Sequence, residues 1–216
     1  MLAKVKFCGM TRPQDAALAA EIGASYVGVI FANGPRKVSV DQAREILDAA
    51  GPSIRHVGVF GTHDPDEIAE IAEELGLHVV QLHADPGSSA VEALRDRFDG
   101  EVWAVIRIPG SSIPHEFDEL FDTADGVLLD AHSKERLGGT GVPLPWNALA
   151  VDLARDRGSA EVILAGGLNP ANVSAAIRIL APDVVDVSSG VESAPGIKDP
   201  WLMREFFDAA VGHPTA

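Results

Sequence analysis

EVILAGG at residues 161–167, PANVSAAIRILA at 170–181 and VVDVSSG at 184–190 form the passage that decides the fold. A short β-branched apolar run ends in two glycines, an amphipathic run follows, and a second apolar run ends in Ser-Ser-Gly. This reads as strand, helix, strand, with the continuously apolar strands expected of a parallel sheet buried on both faces. The two strand ends carry small loops rich in backbone N–H groups. Glycine lets a backbone approach an anion closely and a serine hydroxyl adds a donor, so both loops are suited to hold a phosphate.

Outward from this passage the same unit recurs. Toward the N-terminus the apolar runs are KVKFC at 4–8, YVGVIF at 26–31, RHVGVF at 55–60, HVVQLH at 78–83, EVWAVIRI at 101–108 and DGVLLD at 125–130. Each is followed by a stretch of helical period; Ile68, Ile71, Ala72 and Leu75, for example, share one face. The last strand leads to a final helix near PWLMREFFDAAV. Gly23, Gly51, Gly76 and Gly158 stand where helix C-caps should fall, and Asp64-Pro65 and Asn169-Pro170 where helices should start. An open doubly wound sheet would usually carry GxGxxG after its first strand, and CGMTRP at 8–13 does not fit. Eight evenly spaced units predict one closed (β/α)8 (TIM) barrel, a single catalytic domain over residues 1–216.

The 216 residues suit one domain, with 46% hydrophobic and 23% charged residues. A formal net charge of −15 argues against nucleic acid and against an anionic membrane surface as partners. No apolar run approaches the roughly 20 residues needed to cross a bilayer, and MLAKVKFCGM has no secretory h-region. The single cysteine, Cys8, cannot form an intramolecular disulfide, and cytoplasm is the expected compartment. The acidic helices allow a monomer or a homodimer.

In a barrel of this kind the site is built at the C-terminal ends of the strands. The polar residues there are Cys8, Asn33 to Arg36, Gly61 with Thr62, His83, Arg107, Asp130, Gly166 with Gly167, and Ser188, Ser189 and Gly190. The last two groups are the candidate phosphate site. Strand alternation puts Lys4, Lys6 and Cys8 on one face, and lysines belong poorly between barrel and helices, so Cys8 should point into the mouth. A nearby ammonium would favour its thiolate, as nucleophile or as proton abstractor. Asp130 lies beneath the long glycine-rich loop of residues 131–141 and is placed to act as acid or base; the loop is expected to order over a ligand. Arg36 could clamp a carboxylate through two parallel hydrogen bonds. Asp186 shares the face of Ser188 and should either bind a sugar hydroxyl or neutralise Lys6. His83 ends its strand at the rim. No HExxH, CxxC or carboxylate cluster suggests a metal.

In that order, KFCGMT, GPRKVS, VGVF, VQLH, LLDAHSKERLGGTG, ILAGGLNPANV and VDVSSGVESAPGIKD resemble the phosphoribosylanthranilate isomerase family of tryptophan biosynthesis, through essentially the whole chain. The resemblance implies a phosphorylated small-molecule substrate and an Amadori rearrangement of N-(5′-phosphoribosyl)anthranilate, without metal or organic cofactor. It implies Cys8 as general base, Asp130 as general acid and Arg36 on the anthranilate carboxylate. His83 and Asp186 fall on the family's other substrate-binding positions, and Gly166, Gly167, Ser188, Ser189 and Gly190 on its phosphate loops. Gly34 and Ala84 depart from the serine and glycine usual there. Histidine-pathway isomerases of the same fold carry aspartate where Cys8 stands. An indole-glycerol-phosphate synthase would need extra N-terminal helices.

Overall fold

Side-chain alternation and the βα repeat together close the sheet. The computed structural model describes residues 3–108, 110–131, 145–154 and 158–212. The strands are β1 (Lys4–Phe7), β2 (Tyr26–Ile30), β3 (Arg55–Phe60), β4 (Val79–Leu82), β5 (Glu101–Ile108), β6 (Gly126–Ala131), β7 (Glu161–Leu164) and β8 (Val184–Val187). They run parallel in sequence order, and β8 pairs back onto β1, with Lys6 opposite Asp186. Between them lie α1 (Pro13–Glu21), α2 (Val40–Ala50), α3 (Pro65–Leu75), α4 (Ser88–Arg95), α5 (Asp118–Thr123), α6 (Trp146–Leu153) and α7 (Val173–Leu180), and α8 (Pro200–Val211) ends the barrel. The expected (β/α)8 barrel is therefore present.

Local chemistry sets the helix starts. Ser39 and Gln42 form a reciprocal capping box on α2, which satisfies N–H groups that the first turn leaves open. Asp64 accepts from the backbone N–H of Asp66 and Glu67 ahead of Pro65, and Asp199 does the same for Trp201 and Leu202 ahead of Pro200. The expected start at Asn169-Pro170 is three residues early. The Asn169 and Asn172 side chains bond the backbone of the intervening turn, and α7 begins only at Val173. Gly158 does not cap α6, whose C-cap is Ala154. The sequence also gave no sign of the antiparallel hairpin of β9 (Glu192–Ala194) and β10 (Ile197–Lys198), which follows β8.

Two apolar layers result. Outward strand residues meet the helices, as where Phe7 meets Phe206 edge to face at 6.0 Å between ring centroids. Inside the barrel Tyr26, Val57, Val79, Trp103, Val105, Leu128, Ile163, Ala165 and Val184 form a separate packed cluster. Tyr26 and Trp103 lie 4.9 Å apart at 65°. This plug closes the barrel toward the strands' N-termini, so any cavity opens at the other end. Of the 131–141 loop only Ala131 lies within the described residues, and the expected closure of that loop falls outside them.

Candidate active site

Every strand except β5, or the segment that directly follows it, contributes to one open cavity at the C-terminal face. Its wall includes Cys8, Asn33, Gly34, Pro35, Arg36, Gln81, His83, Asp130, Gly166, Gly167, Asp186, Ser188, Ser189 and Gly190. All ten site residues singled out in the sequence thus converge. Three other strand-end candidates do not reach the wall: Gly61, Thr62 and Arg107. Arg107 instead bonds Asp85 at 2.5 Å and the His83 carbonyl oxygen at 2.7 Å, and so fixes the turn after β4.

Alternation along β1 works as expected. Lys4 stays exposed at the far end on Glu161, Lys6 is fully buried, and Cys8 is 6% exposed at the cavity. Lys6 Nζ donates to Asp186 Oδ1 at 3.0 Å and to Gln81 Oε1 at 3.1 Å. Of the two expected tasks for Asp186, neutralising Lys6 is therefore observed, while the residue also faces the cavity. Burial lowers the basicity of the Lys6 ammonium, but Asp186 and Cys8 outweigh it and leave its pKa raised.

The thiol departs from expectation. Burial pushes Cys8 above the ordinary thiol range, and the Lys6 and Lys198 ammonium groups only partly oppose this. Desolvation of the thiolate thus works against the cationic neighbours that would favour it. His83 moves the opposite way. Burial, with Arg107 and Lys6 nearby, lowers it to about 4 against the pull of Asp85, so the imidazole is neutral near pH 7. Asp130, at the end of β6, is 7% exposed and opens on the same cavity.

The phosphate-type loops pack on each other. Gly166 and Gly167 are both left-handed, at φ 81° and 71°, which turns the chain sharply after β7. A Cβ on Gly190 would run into the Leu168 carbonyl, so only glycine lets the β8 loop lie against the β7 loop. A short 3₁₀ turn follows at Ser189–Val191.

Arg36 holds an unforeseen partner. Its Nε and Nη2 grip Glu192 in a fork at 2.8 and 2.7 Å. Glu192 also accepts from Lys198 Nζ at 2.9 Å, and Lys198 in turn donates to the Ser188 carbonyl oxygen at 3.1 Å. Burial would push Glu192 up, but Arg36 and Lys198 overcome it and hold its carboxyl below the usual range. One buried network thus ties the Arg36 rim to the Ser188 loop. Sequence reasoning assigned no role to Glu192 and Lys198, although both lie within the VDVSSGVESAPGIKD motif, and it also missed Gln81. Gln81 could have been found: a polar residue inside an apolar strand, two before His83, shares its inward face.

Among the described residues no group of three or more His, Cys, Asp or Glu could hold a metal ion. No helix among them is long and apolar enough to cross a membrane.

Comparison with known proteins agrees with this geometry. Residues 5–209 match the profile of the family described as N-(5'phosphoribosyl)anthranilate (PRA) isomerase. The N-(5'-phosphoribosyl)anthranilate isomerase of Rubrobacter xylanophilus is 42% identical, over 97% of this chain and 99% of that protein. The crystal structure of phosphoribosyl anthranilate isomerase from Thermotoga maritima superposes with a TM-score of 0.86 at 32% identity, covering 98% of this chain and 100% of that one. A structure of such an isomerase in complex with reduced 1-(o-carboxyphenylamino)-1-deoxyribulose 5-phosphate gives a TM-score of 0.82 at 30% identity, with 98% and 100% covered. With a match along nearly its whole length, this chain belongs to the N-(5'-phosphoribosyl)anthranilate isomerase family.

Proposed function

We propose that this cavity performs the Amadori rearrangement of N-(5′-phosphoribosyl)anthranilate, a step of tryptophan biosynthesis, with Cys8 as general base and Asp130 as general acid. The observation that carries the reading is the meeting of one thiol, one buried carboxyl group and two anchoring rims on a single cavity. The ligand of the related complex, an aminosugar phosphate bearing a carboxyphenyl group, has the two anionic ends that such rims would hold.

The steps follow from charge flow. Asp130 gives a proton to the furanose ring oxygen, the C1–O bond breaks, and the nitrogen lone pair forms a C1 iminium. The positive nitrogen acidifies the C2 proton. The Cys8 thiolate removes it, and the C–H electron pair becomes a C1–C2 double bond, giving an enolamine. Reprotonation at C1 and loss of the C2 hydroxyl proton yield the ketone, and transfer of the proton held by Cys8 back to Asp130 through solvent resets both groups, with no net gain or loss of protons. Burial makes the Cys8 thiolate a stronger base than an unperturbed one, and the Lys6 ammonium beside it partly offsets its desolvation. An iminium forming within the cavity favours the thiolate by direct attraction.

Gly166, Gly167, Ser188, Ser189 and Gly190 are assigned to the phosphate. Arg36 is assigned to the anthranilate carboxylate. Its Nε–Nη2 edge is engaged by Glu192, so the substrate would meet the opposite edge, which carries Nη1. His83 and Asp186 are assigned to the sugar between the anchors. No organic cofactor or metal enters this scheme. A cytoplasmic location fits a biosynthetic enzyme with one cysteine. The reading is made for a monomer or a homodimer.

The test is turnover of N-(5′-phosphoribosyl)anthranilate, followed by loss of substrate anthranilate fluorescence, run beside the histidine-pathway substrate. Turnover of the anthranilate substrate supports the reading. No turnover of it by folded protein would contradict it.

A further inference from the structure

Hydrogen-bond direction along the inner wall of β1, β4 and β8 determines more than the positions of its members. Lys6 is fully buried, and an ammonium can only donate. Two of the acceptors it meets are Asp186 Oδ1 and Gln81 Oε1. The face of the Gln81 amide turned toward Lys6 must therefore be its carbonyl oxygen, because an NH₂ group there would set donor against donor. That choice turns Gln81 Nε2 toward His83, where it lies 3.4 Å from Nδ1. An amide NH₂ has no lone pair to offer, so Nδ1 must be the acceptor and the ring proton must sit on Nε2. Gln81 is itself only 1% exposed and is held between two partners, so the amide has little room to invert.

We propose that Gln81 is a positioning residue that holds His83 as the neutral Nε2–H tautomer, so that His83 offers the bound aminosugar a hydrogen-bond donor. The charged groups around the ring agree. Lys6 on β1 and Arg107 on β5 disfavour an imidazolium, and Asp85 is itself engaged by Arg107. The chemistry agrees as well. A second base beside Cys8 would compete for the C2 proton, and a second cation would repel the iminium. A neutral N–H instead strengthens its bond as charge builds on a substrate oxygen, and it keeps its proton. The identity of that oxygen's owner rests on the proposed function; the tautomer is a property of the free protein.

The test is a long-range proton–nitrogen NMR spectrum of uniformly ¹⁵N-labelled protein, with His83 assigned by the signals missing in His83→Asn. The expected result is a protonated Nε2 and a bare Nδ1 from about pH 6 to about pH 8. In Gln81→Glu a carboxylate faces Nδ1, so the proton should move there or the ring should become charged, and kcat should fall about tenfold. In Gln81→Met the two tautomers should mix. A wild-type His83 protonated on Nδ1 would overturn the proposal, and so would a pure Nε2–H form in both variants. If neither variant folds, the wild-type spectrum alone decides. A chain with the expected tautomer that leaves N-(5′-phosphoribosyl)anthranilate untouched would contradict the proposed function and leave the tautomer assignment standing.

Discussion

Toward the N-terminal ends of its strands the barrel is filled by apolar side chains such as Tyr26, Val57, Val79, Trp103 and Val184, and the ion pairs at that end are part-exposed. Toward the C-terminal ends the same strands bury Lys6, Gln81 and Asp130 and half-bury Asp186, with Cys8 and the Arg36–Glu192–Lys198 network at the rim. One half gains stability from area removed from water. The other keeps charged groups where desolvation penalises them, and each is held by a specific partner. A shift of two residues along a strand is enough to pass from one regime to the other: Lys4 is a solvated ion-pair member, Lys6 a buried one and Cys8 a wall residue. The difference teaches that catalytic competence and stability are separable in this barrel by height along the strand.

Four substitutions can break or sharpen that separation. Asp130→Asn should lower kcat by about 100- to 10,000-fold, while the denaturant midpoint stays near wild type; steady-state kinetics beside urea unfolding measures both. Trp103→Ala should do the reverse. Its side chain is completely buried, so about 3–5 kcal/mol of stability should be lost, with kcat of the folded fraction retained. A large loss of activity without a loss of stability would erase the division. Glu192→Gln should act between these extremes. Losing a charged partner loosens Arg36, so KM should rise about tenfold, roughly 1.4 kcal/mol, with kcat little changed. Lys4→Met should be smallest, because its pair with Glu161 is part-exposed at 45% and 33%; about 0.2–1 kcal/mol of stability is expected, with no kinetic effect.

Much of the barrel was legible because its signals are local. Strand runs, Asp64-Pro65 and the glycines at 166, 167 and 190 each report on their own few residues. Cys8 was legible through alternation, since Lys6 has only one comfortable side of a barrel strand. What failed were quantities set by distant neighbours. Arg36 and Glu192 are 156 residues apart, and nothing at either position names the other. The direction in which the Cys8 thiol is shifted went astray for the same reason. An ammonium nearby was foreseeable, but the depth of burial that outweighs it depends on how eight strands close. Asn169-Pro170 failed differently: two asparagine side chains compete for the backbone and delay the helix by a turn.

The most direct test of the account is the turnover of Cys8→Ser, followed by loss of anthranilate fluorescence beside a far-ultraviolet circular dichroism spectrum. A hydroxyl of nearly the same size keeps the packing but is a far weaker acid than a thiol, so it cannot supply the base. The account predicts an unchanged spectrum and a kcat reduced by at least about 100-fold. Wild-type turnover by the serine variant would contradict it.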